Sequence, residues 1–296
     1  MADEDRRERF LQRFQRVLDH IDGHTDEAFD LESLSALAAF SPHHFHRQFG
    51  ALVGLPLGRY VAFSRMKRAS YLLVFHPDVP VVEIAMLCGY EGPEAFARAF
   101  RQTVGVAPTV FRAQPDWDDW HARFRPWLDT RTRPMLTSSK SAEVEIVDFP
   151  ATRIALLTHR GDHARLNDSI QRFIAWRRSV NLPRDRHATF NILYADPYTT
   201  APEDFRFGLA VAMDGDIAPN DAGIEASLLP AGPCARVRHR GSTDFLEPVF
   251  RHLYGEWLPG SGREPRDFPP FLQRLKFYPD VPEAEALTDV FLPLTP

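Results

Sequence analysis

Ile84-Ala85-Met86-Leu87-Cys88-Gly89-Tyr90-Glu91-Gly92-Pro93-Glu94-Ala95-Phe96-Ala97-Arg98-Ala99-Phe100-Arg101 decides the reading of the N-terminal half. An apolar run stops at Gly89, and Gly92-Pro93 opens a second run with proline in its first helical turn. The pattern is helix, tight turn, helix. It stands a second time, earlier in the chain. Ser35-Ala36-Leu37-Ala38-Ala39-Phe40 parallels Ala85-Met86-Leu87-Cys88-Gly89-Tyr90. After one extra residue in the later copy, Phe45-x-Arg47-x-Phe49 parallels Phe96-x-Arg98-x-Phe100. Small residues at Ser35 and Ala85 allow close helix crossing, and the turn needs a small residue at Ala39 and Gly89.

Helical phase separates the faces of the second helix in each copy. Phe45, Phe49 and Leu52 fall on one face, and Phe96, Phe100 and Val104 do the same in the later copy. The opposite faces then present His43, His46, Arg47 and Gly50, and Glu94, Ala97, Arg98 and Arg101. Arginine is the commonest reader of guanine edges, and glutamate accepts from cytosine. Between the copies runs a predicted helix over 57–75, whose Arg65, Lys67 and Arg68 suit a phosphate backbone.

Charge is distributed in keeping with that reading. The 296 residues carry a net −5, yet residues 41–115 hold eight basic and four acidic side chains. Residues 1–40 hold five and ten, and residues 116–296 hold 22 and 26. A basic segment inside an acidic chain is the footprint expected where one part meets phosphate. The acidic start lacks the apolar core of a signal peptide and no long apolar run spans a membrane, so a cytoplasmic protein is expected. The two cysteines, Cys88 and Cys234, stand far apart, which excludes a disulfide scaffold and a cysteine-cluster metal site. No metal and no cofactor is expected.

The segment Ile84-Ala85 … Cys88-Gly89-Tyr90 … Phe96-Ala97-Arg98-Ala99-Phe100-Arg101 … Gly105-Val106-Ala107-Pro108 … Phe111-Arg112 resembles the signature of the AraC/XylS family of transcription activators. The resemblance covers about residues 10–112. It implies two recognition helices entering successive major-groove segments on one DNA face, about 34 Å apart. It also implies base-facing roles for His43, His46, Arg47, Glu94, Ala97 and Arg98. The DNA-binding domain stands first in this chain, whereas many members of that family place it last.

Beyond residue 143 the chain repeats itself at a spacing of 80 residues. Val144-Glu145, Pro150-Ala151 and His159-Arg160-Gly161 recur as Ile224-Glu225, Pro230-Ala231 and His239-Arg240-Gly241. Each copy continues into an amphipathic helix and two strand-like runs, giving a duplicated β-α-β-β unit with a natural cleft between its halves. The identical His-Arg-Gly triplets point to turn geometry at a strand end rather than to catalysis. Candidate pocket residues on inward strand positions and helix faces are Trp176, Phe190, Ile192, Tyr194, Trp257, Gln273 and Leu275.

Pro150-Ala151-x-x-Ile154-Ala155 … His159-Arg160-Gly161, Arg206-Phe207 and Thr288-Asp289-Val290-Phe291-Leu292-Pro293-Leu294 resemble the gyrase-inhibitor-like (GyrI-like) effector-binding domain. That resemblance implies a pocket for hydrophobic or cationic compounds, with a glutamate facing the cation. Here Gln273 stands at that place, and Gly208 stands where an aspartate would follow Arg206-Phe207. A neutral amide offers a cation no charge attraction, so a small-molecule effector that is not a strong cation is expected.

The chain is therefore expected to be multidomain. An all-α double helix-turn-helix domain of about seven helices spans 1–113, a linker spans 114–142, and an α+β GyrI-like domain spans 143–296. The expected function is sequence-specific binding of double-stranded DNA and transcription regulation under a small-molecule effector, with RNA polymerase as a further partner and no enzymatic activity. The alternatives for the C-terminal half are a protein-docking module or a small-molecule hydrolase using Tyr194, Glu225 or His239. A methyl-accepting repair protein would need an activated cysteine.

Overall fold

A computed structural model describes residues 2–132, 143–195, 200–243 and 246–296. They fall into two compact units. One lies within Met1–Lys140 and includes Tyr278–Glu285; the other lies within Ser141–Phe277 and Ala286–Pro296. The eight residues Tyr278–Glu285, expected in the C-terminal half, thus belong with the N-terminal unit.

The first unit is all-helical: α1 (Ala2–Gly23), α2 (Leu31–Leu37), α3 (Pro42–Val53), α4 (Leu57–Phe75), α5 (Val81–Leu87), α6 (Pro93–Val104), α7 (Pro108–Ala113) and α8 (Trp117–Thr132). The expected pairs are α2–α3 and α5–α6. Both turns close alike. The amides of Phe40 and Tyr90 donate to the carbonyls of Ser35 and Ala85, 2.9 and 3.0 Å away, with a left-handed residue just before each. That residue is Gly89 at φ 73° in the second turn but Ala39 at φ 55° in the first. A Cβ costs about 1–2 kcal/mol in that region. Ala39→Gly is therefore expected to stabilise the protein by about 0.5–1 kcal/mol after the glycine's larger chain entropy is set against it, measured by chemical denaturation. Gly89→Ala is expected to act oppositely, because its Cβ would lie 2.8 Å from Arg65 Nη2 and from the Thr25 carbonyl.

The expected linker is helical over Trp117–Thr132. Trp117, Trp120, Phe124 and Trp127 recur at helical spacing and join the single core that also holds Phe14, Phe45, Phe49, Phe96 and Phe100. The indole N–H groups of Trp120 and Trp127 donate to Ser70 and Ser64 on α4 at 3.0 and 3.3 Å. The serine-rich part of the expected linker, Thr137–Ser141, lies outside the described residues.

The second unit is an eight-stranded antiparallel sheet. Its strands are β1 (Val144–Phe149), β2 (Thr152–Arg160), β3 (Thr189–Ile192), β4 (Arg206–Ala212), β5 (Glu225–Leu229), β6 (Gly232–Arg240), β7 (Phe271–Lys276) and β8 (Leu287–Pro293). Each repeat thus opens on two strands rather than one, broken at Pro150-Ala151 and Pro230-Ala231. The order β1-β6-β8-β7-β3-β4-β2-β5 shows an exchange: β1 of the first repeat pairs with β6 of the second, and β5 of the second with β2 of the first. The repeats hold each other through these outer strands.

One face of the sheet is covered by helices. On it α9 (Leu166–Ser179) packs Phe173 and Trp176 against Ala155, Leu157, Leu209 and Val211. In the second repeat, α10 (Glu247–Arg251) packs Val249 against Val237, Val290 and Leu292, and the π-helical stretch His252–Trp257 that follows adds Leu253. The other face carries Ile154, Leu156, Phe190, Ile192, Ala210, Phe271 and Phe291. Burial on both faces explains why β2 reads Ile-Ala-Leu-Leu without alternation. The triplets behave as turns: Gly161 and Gly241 have φ 101° and 115°. His159 Nε2 and His239 Nε2 meet the carbonyls of Asp162 and Ser242 at 3.1 and 2.9 Å.

Candidate DNA interface and effector pocket

On α3 and α6 the aromatic stripe is buried and the other side is exposed. His46 and Arg47 on α3, and Glu94, Arg98 and Arg101 on α6, are exposed; Ala97 is half-buried. The side chain of His43 lies outside the described residues. Arg47, Arg98 and Arg101 have no ion-pair partner among the described residues.

The three basic residues of α4 expected at a phosphate backbone, Arg65, Lys67 and Arg68, are placed differently from expectation. Lys67 is buried, with Nζ 3.2 Å from a Glu283 carboxylate oxygen and 5.0 and 5.4 Å from the ring centroids of Trp127 and Tyr278. Arg68 is buried and donates to Thr25 Oγ1 and the Leu87 carbonyl at 2.8 and 2.9 Å. Arg65 donates to the Glu27 carbonyl at 2.6 Å and lies over Tyr90. Arg65 and Arg68 tie the turn at 25–27 to the second helix-turn-helix unit, and Lys67 is taken up by the core. The reason is that α4 buries residues on most of its circumference, from Tyr60 to Leu73. A polar stripe cannot be assumed to face water there.

The cysteines are placed to pack. Burial pushes the Cys88 thiol up to about 12 and the Cys234 thiol up to about 11. Neither is an activated nucleophile.

In the sheet unit, Phe271 and Phe291 stack at 4.9 Å, with Phe149 edge-on to both at 4.9 and 5.2 Å. These rings, with Phe190 and Ile192, fill the middle of the face where the cleft between repeats was expected. Phe190 and Ile192 are therefore core. Trp176 and Trp257 lie on the helix-covered side. Trp176 also edges a broad depression of about 440 Å³ between α9 and residues 220–222. Leu275 is exposed near the end of β7. Gln273 sits on the helix-free face, across from Phe190 on one side and Asp289 on the other.

Asp289 was not among the expected site residues. It is 2 % exposed and accepts two hydrogen bonds from Arg238, at 2.7 and 2.8 Å. Arg236 lies 3.9 Å from it and pairs with Glu145. Only the sheet register brings these four together.

A cavity of about 240 Å³ opens on the same face in the first repeat. Leu156, Thr158, Arg160, Tyr194, Arg206, Glu225 and Ser227 line it. Tyr194 is the one expected ligand residue found there. Burial and the nearby Glu225 push its phenol up, against a smaller opposite effect of Arg160.

The model of the GyrI-like small molecule binding domain matches residues 142–295. The chain belongs to the GyrI-like family. A helix-turn-helix domain of the AraC type matches residues 34–114 of this GyrI-like protein. The chain is 35 % identical over 153 residues to the probable transcriptional regulator YgiV of Escherichia coli K12, covering 51 % of this chain and 96 % of that protein. It is 26 % identical over 103 residues to the right origin-binding protein of the same organism, 35 % of each chain. The DNA-binding domain of AdpA in complex with a target DNA aligns with 33 % identity and a TM-score of 0.31, over 36 % of this chain and 91 % of that one. The GyrI-like protein is thus a DNA-binding transcription regulator of the AraC type with a small-molecule-binding half. Among the described residues no helix is long and apolar enough to cross a membrane.

Proposed function

We propose that this regulator reads an asymmetric DNA site through α3 and α6, with Arg47 and Arg98 as the matched readers. His46, Glu94 and Arg101 lie beside them. The observation that carries the reading is that two arginines at equivalent positions of two duplicated units are both exposed and both without an ion-pair partner among the described residues. Such a protein works on chromosomal DNA in the cytoplasm, with RNA polymerase as its second macromolecular partner.

Control comes from a small molecule held by the helix-free face of the sheet. Gln273 brings no charge, and Asp289 beside it is already matched by Arg238 and Arg236. A strong cation would find no uncompensated carboxylate beside Gln273. Gln273→Glu is therefore expected to raise affinity for a lipophilic cation such as tetraphenylphosphonium about ten-fold, read by titration calorimetry; no gain would remove Gln273 from the pocket. An enzymatic role gains no support. The Tyr194 phenol is pushed up, away from a base, and His239 Nε2 is held by the Ser242 carbonyl.

Effector control has a thermodynamic signature. A compound that binds the sheet unit must change DNA affinity, and operator DNA must change the compound's affinity by the same factor. Fluorescence anisotropy on a selected operator, with and without a compound that raises the melting temperature, measures both. A compound that binds tightly and leaves DNA affinity unchanged contradicts control by that site.

A further inference from the structure

We propose that the cavity of the first repeat takes a small organic oxyanion, its acid group held between Arg160 and Arg206; this rests on the reading of the sheet unit as an effector sensor. The strand register places Arg160 of β2 directly opposite Arg206 of β4. Like charges directly opposite on neighbouring strands destabilise a sheet. Neither arginine has an ion pair with a carboxylate among the described residues.

The second repeat handles its charge differently. There Arg238 is matched bidentately by Asp289, and Arg236 by Glu145. The place equivalent to Asp289 in the first repeat is Gly208, opposite Thr158 as Asp289 is opposite Arg238. A Cβ at Gly208 would lie 2.9 Å from Ile192 Cβ and 3.2 Å from Leu156 Cδ1. Packing therefore leaves no room for a carboxylate at Gly208, and both arginines line one cavity.

The remaining lining defines the rest of the ligand. Leu156 supplies an apolar floor, and Thr158, Ser227 and Tyr194 supply hydroxyls. Glu225, opposite Leu156, stands four residues along β2 from Arg160, about 13 Å at the strand rise. One end of the cavity is cationic and the other accepts a donor. Its volume of about 240 Å³ lies below the usual range of about 300–1,000 Å³ for drug-sized ligands. The fit is to a carboxylate or phosphate on a short apolar body, since guanidinium groups match both oxyanions bidentately.

The test uses the full chain and four probes of similar shape: 3-phenylpropanoate, phenyl phosphate, 3-phenylpropanamide and 3-phenylpropylamine, at constant ionic strength in chloride. Melting temperature and operator affinity are read together. The carboxylate or the phosphate is expected to raise the melting temperature and shift operator affinity, and which of them does so identifies the acid group. The amide and amine are expected to do neither. Arg160→Gln and Arg206→Gln are each expected to weaken the responding oxyanion about ten-fold or more, yet to melt no lower than the parent in chloride alone. No response to either oxyanion at millimolar concentration overturns the proposal, as does a response that persists in both variants. If the amine or amide alone shifts melting and operator affinity, the oxyanion assignment falls and the sensor reading stands. If no probe of any charge shifts operator affinity, both fall.

Discussion

Replacing Glu283 with alanine is expected to destabilise the first unit by about 3–5 kcal/mol, because it breaks a buried ion pair by removing one partner. The Lys67 and Glu283 side chains are 2 % and 5 % exposed and lie 3.2 Å apart. Without the carboxylate, the Lys67 ammonium would stay among the rings of Trp127 and Tyr278 with this buried counter-charge gone. Lys67→Met in the same background is expected to restore most of the loss, since an apolar side chain of similar length needs no partner there. Tryptophan fluorescence during urea denaturation follows the unit through Trp120 and Trp127. A loss under about 1 kcal/mol in Glu283→Ala would show that the pair is solvated and that the 278–285 segment contributes little to this unit.

The second large effect is on DNA. Arg47→Ala and Arg98→Ala are each expected to weaken specific binding by about 1–3 kcal/mol. They lie in separate helix-turn-helix units, so the double variant is expected to lose about the sum. Both side chains are exposed, and the melting temperature is expected to hold within the range of ordinary surface substitutions. Lys67→Ala makes the contrast: any effect on DNA binding there should follow lost folding. Unchanged operator affinity in both arginine variants at fixed salt would remove α3 and α6 as reading helices.

The helix-turn-helix pair was legible because its signals are local. Phe45 and Phe49, and Phe96 and Phe100, recur at the helical period, and Gly89 marks the turn by its backbone freedom. The duplication of the second half was legible for the same reason, as identical triplets at one spacing. What stayed hidden depends on partners distant in sequence. Trp117, Trp120, Phe124 and Trp127 form a helical stripe, but Pro126 within it and Pro115 before it pointed to a broken segment. The helix is held by packing on α4, which the prolines do not disturb. Lys67 and Arg68 were read as exposed because charge usually means solvent, whereas α4 runs through the core and supplies each with a partner. Trp176 and Trp257 are pocket candidates by helix face; which sheet face the helices cover is set by topology. The exchange of β1 and β5 between repeats has no local signal at all. It is this exchange that brings Glu145 to Arg236 and Glu225 beside Leu156.

The most direct measurement of the central claim is a selection of bound fragments from random and genomic DNA by the purified full chain, repeated at two salt concentrations. The account predicts one asymmetric motif of two half-elements about one helical turn apart, lost position by position in Arg47→Ala and Arg98→Ala. Salt-sensitive binding with no preferred sequence would contradict it.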